Sequence, residues 1–237
     1  MIFRNTVEFQ VYGKLALFSD PLTRVGGEKF TYQIPTYQAL KGILESVYWK
    51  PTLVWYIDSV RVMNHIQTQS KGIRPIKYTS SENELAIYTY LTDVRYQVRA
   101  HFDWNYDRPE LEKDRDENKH HSIAKRMIEK GGRRDIFLGT RECQGYVEPC
   151  AFGGETGAYD DCSELAFGTM FHGFTYPDEG GNGRLIARFW NPVMKRGVID
   201  FIPPSECTFI RDIKNYSLKR FTIGDNLQSV QELAEEL

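Results

Sequence analysis

Along the chain, apolar and polar positions fall into a few clear stretches. Val7, Phe9 and Val11 alternate with Glu8 and Gln10, which is the period of a half-buried strand. Residues 53–66 are rich in β-branched and aromatic side chains and contain neither glycine nor proline, predicting a second strand. From Val94 the even positions carry Val94, Tyr96, Val98, Ala100, Phe102 and Trp104, while the odd ones carry Arg95, Gln97, Arg99, His101 and Asp103. That pattern predicts a long two-faced strand with a cationic outer face. Helical spacing lies between these strands. Tyr37, Leu40, Leu44 and Val47 follow Pro35-Thr36, and the run stops at Trp49-Lys50-Pro51. A shorter basic helix over residues 122–130 puts Ile123 and Met127 on one face, with Lys130 at the negative end of the dipole and Gly131-Gly132 as the stop. A strand around residues 136–147 follows.

The predicted order is strand, helix, strand, strand, helix, strand. This is the βαββαβ plan of ferredoxin-like and RNA-recognition modules, and it fills residues 1–150. After Pro149 the character changes: Gly153, Gly154 and Gly157 mark loops, and short aromatic strands are expected at residues 165–176, 184–191 and 198–202. They predict a small antiparallel β-sheet domain over residues 151–237, ending in an acidic tail read as a short helix at 228–237. The fold class is therefore α+β. Such a fold names no function by itself. The connections at 20–35, 67–82 and 107–118 are long for a compact domain, a property common in functional loops.

Charge sharpens this picture. Over the 237 residues, 30 cations oppose 32 acids, a net charge of -2 that excludes a uniformly basic coat but not a local one. Residues 119–141 hold Lys119, Lys125, Arg126, Lys130, Arg133, Arg134 and Arg141 against Glu129 and Asp135. That run is either a solvated helix face or a polyanion site, and His120 and His121 within it favour the second. The opening residues carry Arg4 and Glu8 where a signal peptide would need an apolar run, and no stretch approaches the length of a membrane span. Cys143, Cys150, Cys162 and Cys207 show no C-x-x-C pairing, so a reducing, cytoplasmic setting without a zinc site is expected.

Lys119-His120-His121 is the most suggestive chemistry, because histidine exchanges protons near neutral pH and lysine offers a fixed cation to a phosphate. An exposed polar turn is the plainer account. Asp103, Asp107, Glu110, Asp114, Asp116 and Glu117 offer hard oxygen ligands for a metal, but in no recognised spacing and interleaved with cations, as in a solvated loop. His65, His101 and His172 are isolated and read as structural. Gly26-Gly27-Glu28-Lys29 and Gly131-Gly132-Arg133-Arg134 both join flexible glycine to cations, although neither fits a nucleotide-triphosphate loop. Tyr48, in the last turn of the first helix, is either a core tyrosine or a phenol that topology brings to the edge where the second helix starts.

Longer motifs identify a family. DPLTRVGGEKFTYQIPTYQALKGILESVYWKPT, SKGIRPI, the KHHSI turn, GGRRDIFLGTRECQGYVEPC and FGTMFHGFTYPDE spread from about residue 20 to about residue 180. They resemble the Cas-five family (subtype d) of type I-C CRISPR systems, within the RAMP superfamily. The resemblance implies an endoribonuclease that cuts precursor CRISPR RNA at the base of the repeat hairpin, with no metal and no cofactor. It also implies that the protein then holds the 5′ handle beside the backbone and large subunits of an interference complex. The family's catalytic tyrosine falls on Tyr48, and its lysine and histidine fall on Lys119 and His120; His121 lies outside that triad. Attack by the RNA 2′-OH would give a 2′,3′-cyclic phosphate and a 5′-OH, with either Tyr48 or His120 taking the first proton. Lys29, Lys125, Arg126, Lys130, Arg133, Arg134 and Arg141 are the expected RNA contacts. Two other readings stand beside this one: a non-catalytic RNA-holding subunit, and a metal-dependent DNA nuclease using the acidic loop.

Overall fold

The computed structural model describes residues 4–20, 23, 27–76, 84–177 and 183–215. Its strands are β1 (Val7–Ala16), β2 (Lys29–Phe30), β3 (Leu53–Val62), β4 (Thr68–Ile73), β5 (Ala86–Trp104), β6 (Ile136–Phe137) and β7 (Gln144–Pro149). They continue with β8 (Leu165–Ala166), β9 (Met170–Thr175), β10 (Arg184–Trp190), β11 (Val193–Met194), β12 (Val198–Asp200) and β13 (Phe209–Asn215). The two α-helices are α1 (Tyr37–Val47) and α2 (Glu117–Glu129). The protein is a mixed α/β fold in which nearly all strand pairs are antiparallel and helices are few.

β5 is the spine. Its second half pairs with β3 on one side and β1 on the other, while its first half carries β4 and β2. Through the centre the main sheet runs β12-β3-β5-β1-β7-β6. α1 lies against β3 and α2 against β1 and β7. Phe9, Val11, Leu40, Leu44, Val98 and Ala100 meet between sheet and helices with no exposed surface. Burial of each large apolar side chain there stabilises the fold by ~1.5–3 kcal/mol.

Several expectations change on folding. α2 begins at Glu117, not at residue 122, because Asp116 caps it: its carboxylate accepts the Lys119 backbone N–H at 3.1 Å. Glu117 in the first turn also suits the positive end of the helix. The inward line of this helix is His120, Ala124 and Ile128; Ile123 and Met127 flank it, half-buried. The strand expected at 136–147 is two strands, β6 and β7, joined by a turn in which Gly139 has φ +95°. A side chain on Gly139 would run into the main-chain carbonyl of Leu17, so only glycine fits.

The strand expected at 198–202 does not join the small sheet. β12 pairs antiparallel with β3 at the edge of the main sheet and buries Ile199 completely. The three-stranded sheet is instead β13-β10-β9, and β13 was not foreseen. The cationic outer face of β5 is not open either. Arg95 and Arg99 pair with Glu155 and Glu8 at 2.6 and 2.9 Å, and the backbone N–H of Gly153 bonds to a fully buried Gln97. Among the described residues no helix is long and apolar enough to cross a membrane. The acidic tail at 228–237 lies outside the described residues, as does Gly26.

Candidate active site

The site forms where the end of α1 meets the start of α2. Tyr48 caps α1 in an extended conformation (φ -152°, ψ 122°), with its N–H still bonded to the Leu44 carbonyl at 2.9 Å. Leaving the helix there turns the ring inward, and the indole N–H of Trp55 donates to the Tyr48 carbonyl at 2.8 Å. Only 4% of Tyr48 is exposed. His120 lies in the first turn of α2, on its inward line, and has no exposure at all. The edges of Trp104 and Phe102 enclose its ring at 5.8 and 6.4 Å.

These two side chains touch. Tyr48 Oη lies 2.7 Å from His120 Nδ1, joining residues 72 positions apart. The other ring nitrogen, Nε2, is 2.8 Å from the carbonyl oxygen of Asp114. A carbonyl only accepts, so Nε2 carries the hydrogen and in the neutral ring Nδ1 keeps its lone pair for the tyrosine hydroxyl. The pair is thus set with the phenol donating and the imidazole ready to receive its proton.

Asp114 ends a 3-10 helix (Pro109–Asp114) inside the long charged connection. Lys119 Nζ donates to its Oδ1 at 2.5 Å and Thr52 Oγ1 to its Oδ2 at 2.7 Å, which together hold the carboxyl down at a pKa of about 2. Burial pushes the Tyr48 phenol above its ordinary value, the negative Asp114 pushes it further, and Arg133 opposes both. Arg133 arrives through the turn that ends α2. Gly131 and Gly132 both take positive φ, and the Arg133 and Arg134 N–H groups bond to the Val47 and Ser46 carbonyls at the end of α1.

The other expected residues separate. Arg133 and Arg134 are exposed and line an open hollow of about 540 Å³ with Gln144 and Tyr146. Lys125, Arg126 and Lys130 are exposed along α2, and Lys125 lines a different hollow with Arg4 and His121. Arg141 is exposed in the turn between β6 and β7. Lys29 sits near the opposite end of β5 from Trp104, its ammonium 4.8 Å from the Tyr88 ring centre. His121 turns away from His120, as neighbours on a helix do, and its Nε2 bonds instead to the Thr6 carbonyl at 2.9 Å. Of the acidic residues offered as metal ligands, Asp114 is engaged by Lys119 and Thr52, and Asp116 by the helix cap.

Sequence reasoning missed Asp114 as a partner of the histidine, and it missed Thr52. The local signal was Asp114-x-Asp116 just before the basic helix, where one acid caps and the other remains for side chains. His120 at four and eight residues before Ala124 and Ile128 also marked its burial in advance.

A buried tyrosine–histidine pair with a lysine nearby can pass protons and offer a cation to a phosphate. Residues 6–202 match the family described as CRISPR-associated protein (Cas_Cas5), and the chain belongs to that family. Among its relatives is the CRISPR pre-crRNA endoribonuclease Cas5d of Mannheimia succiniciproducens, 26% identical over 238 residues, which cover 84% of this chain and 96% of the relative. The protein of the same name from Thermus thermophilus is 27% identical over 154 residues, covering 60% of this chain and 63% of the relative. In three dimensions the chain resembles a crystal structure described as a CRISPR-associated protein (TM-score 0.74, 38% identity, 87% of this chain and 96% of the other covered). It is equally similar to a functionally uncharacterized protein from Streptococcus mutans (TM-score 0.73, 39% identity, with the same coverage of 87% and 96%).

Proposed function

We propose that this protein is an endoribonuclease that cleaves precursor CRISPR RNA within its repeat, without metal, and then stays on the 5′ handle as a subunit of a type I-C interference complex. Its family and the names of its relatives support the substrate. The observation that carries the chemistry is the 2.7 Å contact between Tyr48 Oη and His120 Nδ1. On this reading β3-β5-β1-β7 with α1 and α2 form a ferredoxin-like module over residues 1–150, and residues 151–237 add a small β-sheet domain.

RNA supplies its own nucleophile, so the protein must move protons and balance charge. His120 is sealed from solvent and reaches substrate only through Tyr48. Tyr48 therefore takes the proton of the 2′-OH as it passes its own to His120 Nδ1. The 2′-oxygen attacks phosphorus, the bond to the 5′-oxygen breaks, and that oxygen takes a proton from water. The products are a 2′,3′-cyclic phosphate and a 5′-OH. Lys119, half-exposed, meets the charge that gathers on the non-bridging oxygens. Arg133, Arg134, Lys125, Arg126, Lys130, Arg141 and Lys29 hold the RNA backbone.

The test is single-turnover cleavage of the cognate repeat hairpin in excess chelator. Cutting is expected to persist there and to stop when the nucleotide 5′ of the scissile phosphate lacks its 2′-OH, while binding continues. Normal cleavage of the deoxy substrate, or dependence on added metal, would sink this mechanism. Binding without any cleavage would leave an RNA-holding subunit.

A further inference from the structure

Three side chains of the site close on one residue that belongs to none of their elements. Thr52 immediately precedes β3, Lys119 and His120 lie in the first turn of α2, and Asp114 ends the 3-10 helix between β5 and α2. Asp114 meets them through separate atoms. Its carbonyl oxygen accepts from His120 Nε2 at 2.8 Å, Oδ1 accepts from Lys119 Nζ at 2.5 Å, and Oδ2 accepts from Thr52 Oγ1 at 2.7 Å. Oδ2 also lies 3.5 Å from His120 Nε2.

We propose that Asp114 is the positioning residue of this active site, holding His120 with Nδ1 toward Tyr48 and keeping the Lys119 ammonium docked beside the pair until an RNA phosphate takes it over. The proposal rests on the endoribonuclease reading above. The docking contact is built to exchange. Its two side chains are 49% and 34% exposed, and an ion pair that open to water contributes little on its own. A phosphate dianion-like transition state competes well for the same ammonium. Thr52 keeps the carboxylate in place after Lys119 leaves, because that bond lies on the other carboxylate oxygen. The carbonyl contact to His120 is main chain and is kept by a conservative side-chain change such as Asp114→Asn, so that variant isolates the carboxylate.

The carboxylate also has an electrostatic effect that a merely structural bond lacks. Tyr48 faces Asp114 from the 3-10 helix, His120 from α2 and Arg133 from the loop after α2, while from β5 the uncharged rings of Phe102 and Trp104 face His120. Asp114 raises the Tyr48 phenol and Arg133 lowers it. Removing the Asp114 charge leaves only burial to oppose Arg133, so Tyr48 ionises at lower pH than in the wild type.

Asp114→Asn keeps the size and the bond to Thr52 but removes the charge. In single-turnover cleavage of the repeat hairpin across pH, the variant is expected to be about 10–100-fold slower near neutrality, the scale of a misplaced reacting group. The alkaline limb of its pH–rate profile should move to lower pH, with RNA affinity unchanged. A wild-type rate and profile would overturn the proposal, and so would a slower rate with an unmoved profile. Wild-type protein that fails to cut the hairpin would instead sink the endoribonuclease reading. Thr52→Val is the second variant, used whether or not Asp114→Asn folds. It releases one anchor without changing charge and should lower the maximal rate several-fold at unchanged affinity; an unaltered rate would count against Asp114.

Discussion

Two buried histidines make an instructive pair. His120 and His172 both have no exposed surface, both bond through Nε2 to a main-chain carbonyl, and both meet a tyrosine at one end of α1. Their second nitrogens differ. His120 Nδ1 faces the Tyr48 hydroxyl, with the Asp114 carboxylate on the far side of the ring. The His172 ring instead stacks flat on Tyr37 at 4.3 Å, and its Nδ1 has no hydrogen-bond partner among the described residues. Burial, with the nearby Arg188 adding to it, pushes the His172 pKa down to about 4. On the proposed reading, burial alone therefore does not make a histidine useful. What matters is whether its free lone pair meets a proton donor and which sign of charge stands behind it.

The sharpest way to break this comparison is to delete each ring. His120→Ala is expected to slow single-turnover cleavage by ~10²–10⁴-fold, the usual worth of acid–base catalysis, while leaving RNA binding intact. His172→Ala should cost stability, yet the folded fraction should cut normally. Equal losses of cleavage in the two variants would erase the distinction.

The tyrosines follow. Tyr48→Phe keeps the ring packing and removes only the hydroxyl through which His120 acts, so a loss of cleavage as large as that of His120→Ala, ~10²–10⁴-fold, is expected. Tyr37→Phe should leave the rate alone, because Tyr37 presents its ring face to His172.

The pH dependence of folding isolates His172. Its pKa falls from 6.5 when unfolded to about 4 when folded, so the unfolded chain binds the extra proton between those values. The stability it contributes is complete above about pH 6.5 and is lost as pH falls toward 4, on the order of 3 kcal/mol in all. Denaturant midpoints measured over that window should flatten in His172→Gln. A wild-type curve that is already flat would refute the assignment.

Smaller effects probe the surface. Arg133→Ala with Arg134→Ala should lower the salt dependence of RNA binding by ~0.7 per lost contact with single-stranded regions. An unchanged slope would mean that these arginines face away from RNA. The smallest change is expected for His121→Ala, about twofold or less in cleavage, since its bond is to the Thr6 carbonyl. If His121 proved essential and His120 dispensable, the catalytic assignment would be off by one position.

Much of the frame was legible before folding. The even positions of β5 from Val94 to Phe102 are buried, α1 spans Tyr37–Val47, and Gly131-Gly132 does end α2. The site was legible only as a cluster of suspects. Lys119 and His120 share the first turn of α2 and point apart as helix neighbours do: His120 turns into the core and Lys119 reaches outward, yet both bond to Asp114. The odd face of β5 read as a cationic surface, and its arginines are in fact paired with Glu8 and Glu155 beneath the loop around Gly153.

The sequence by itself determined the long strands β1, β3 and β5, both helices in outline, the basic run and the family motifs. Such features depend on sterics and side-chain periodicity within a few residues, which a linear string displays directly. Tertiary structure alone decided which distant groups meet. Tyr48 and His120, 72 positions apart, come within 2.7 Å because β3, β5 and β1 pair in one register and carry α1 and α2 to the same edge. β12 closes on β3 for the same reason: an edge strand is placed by the hydrogen bonds and the core it finds, and neither is written in its own three residues.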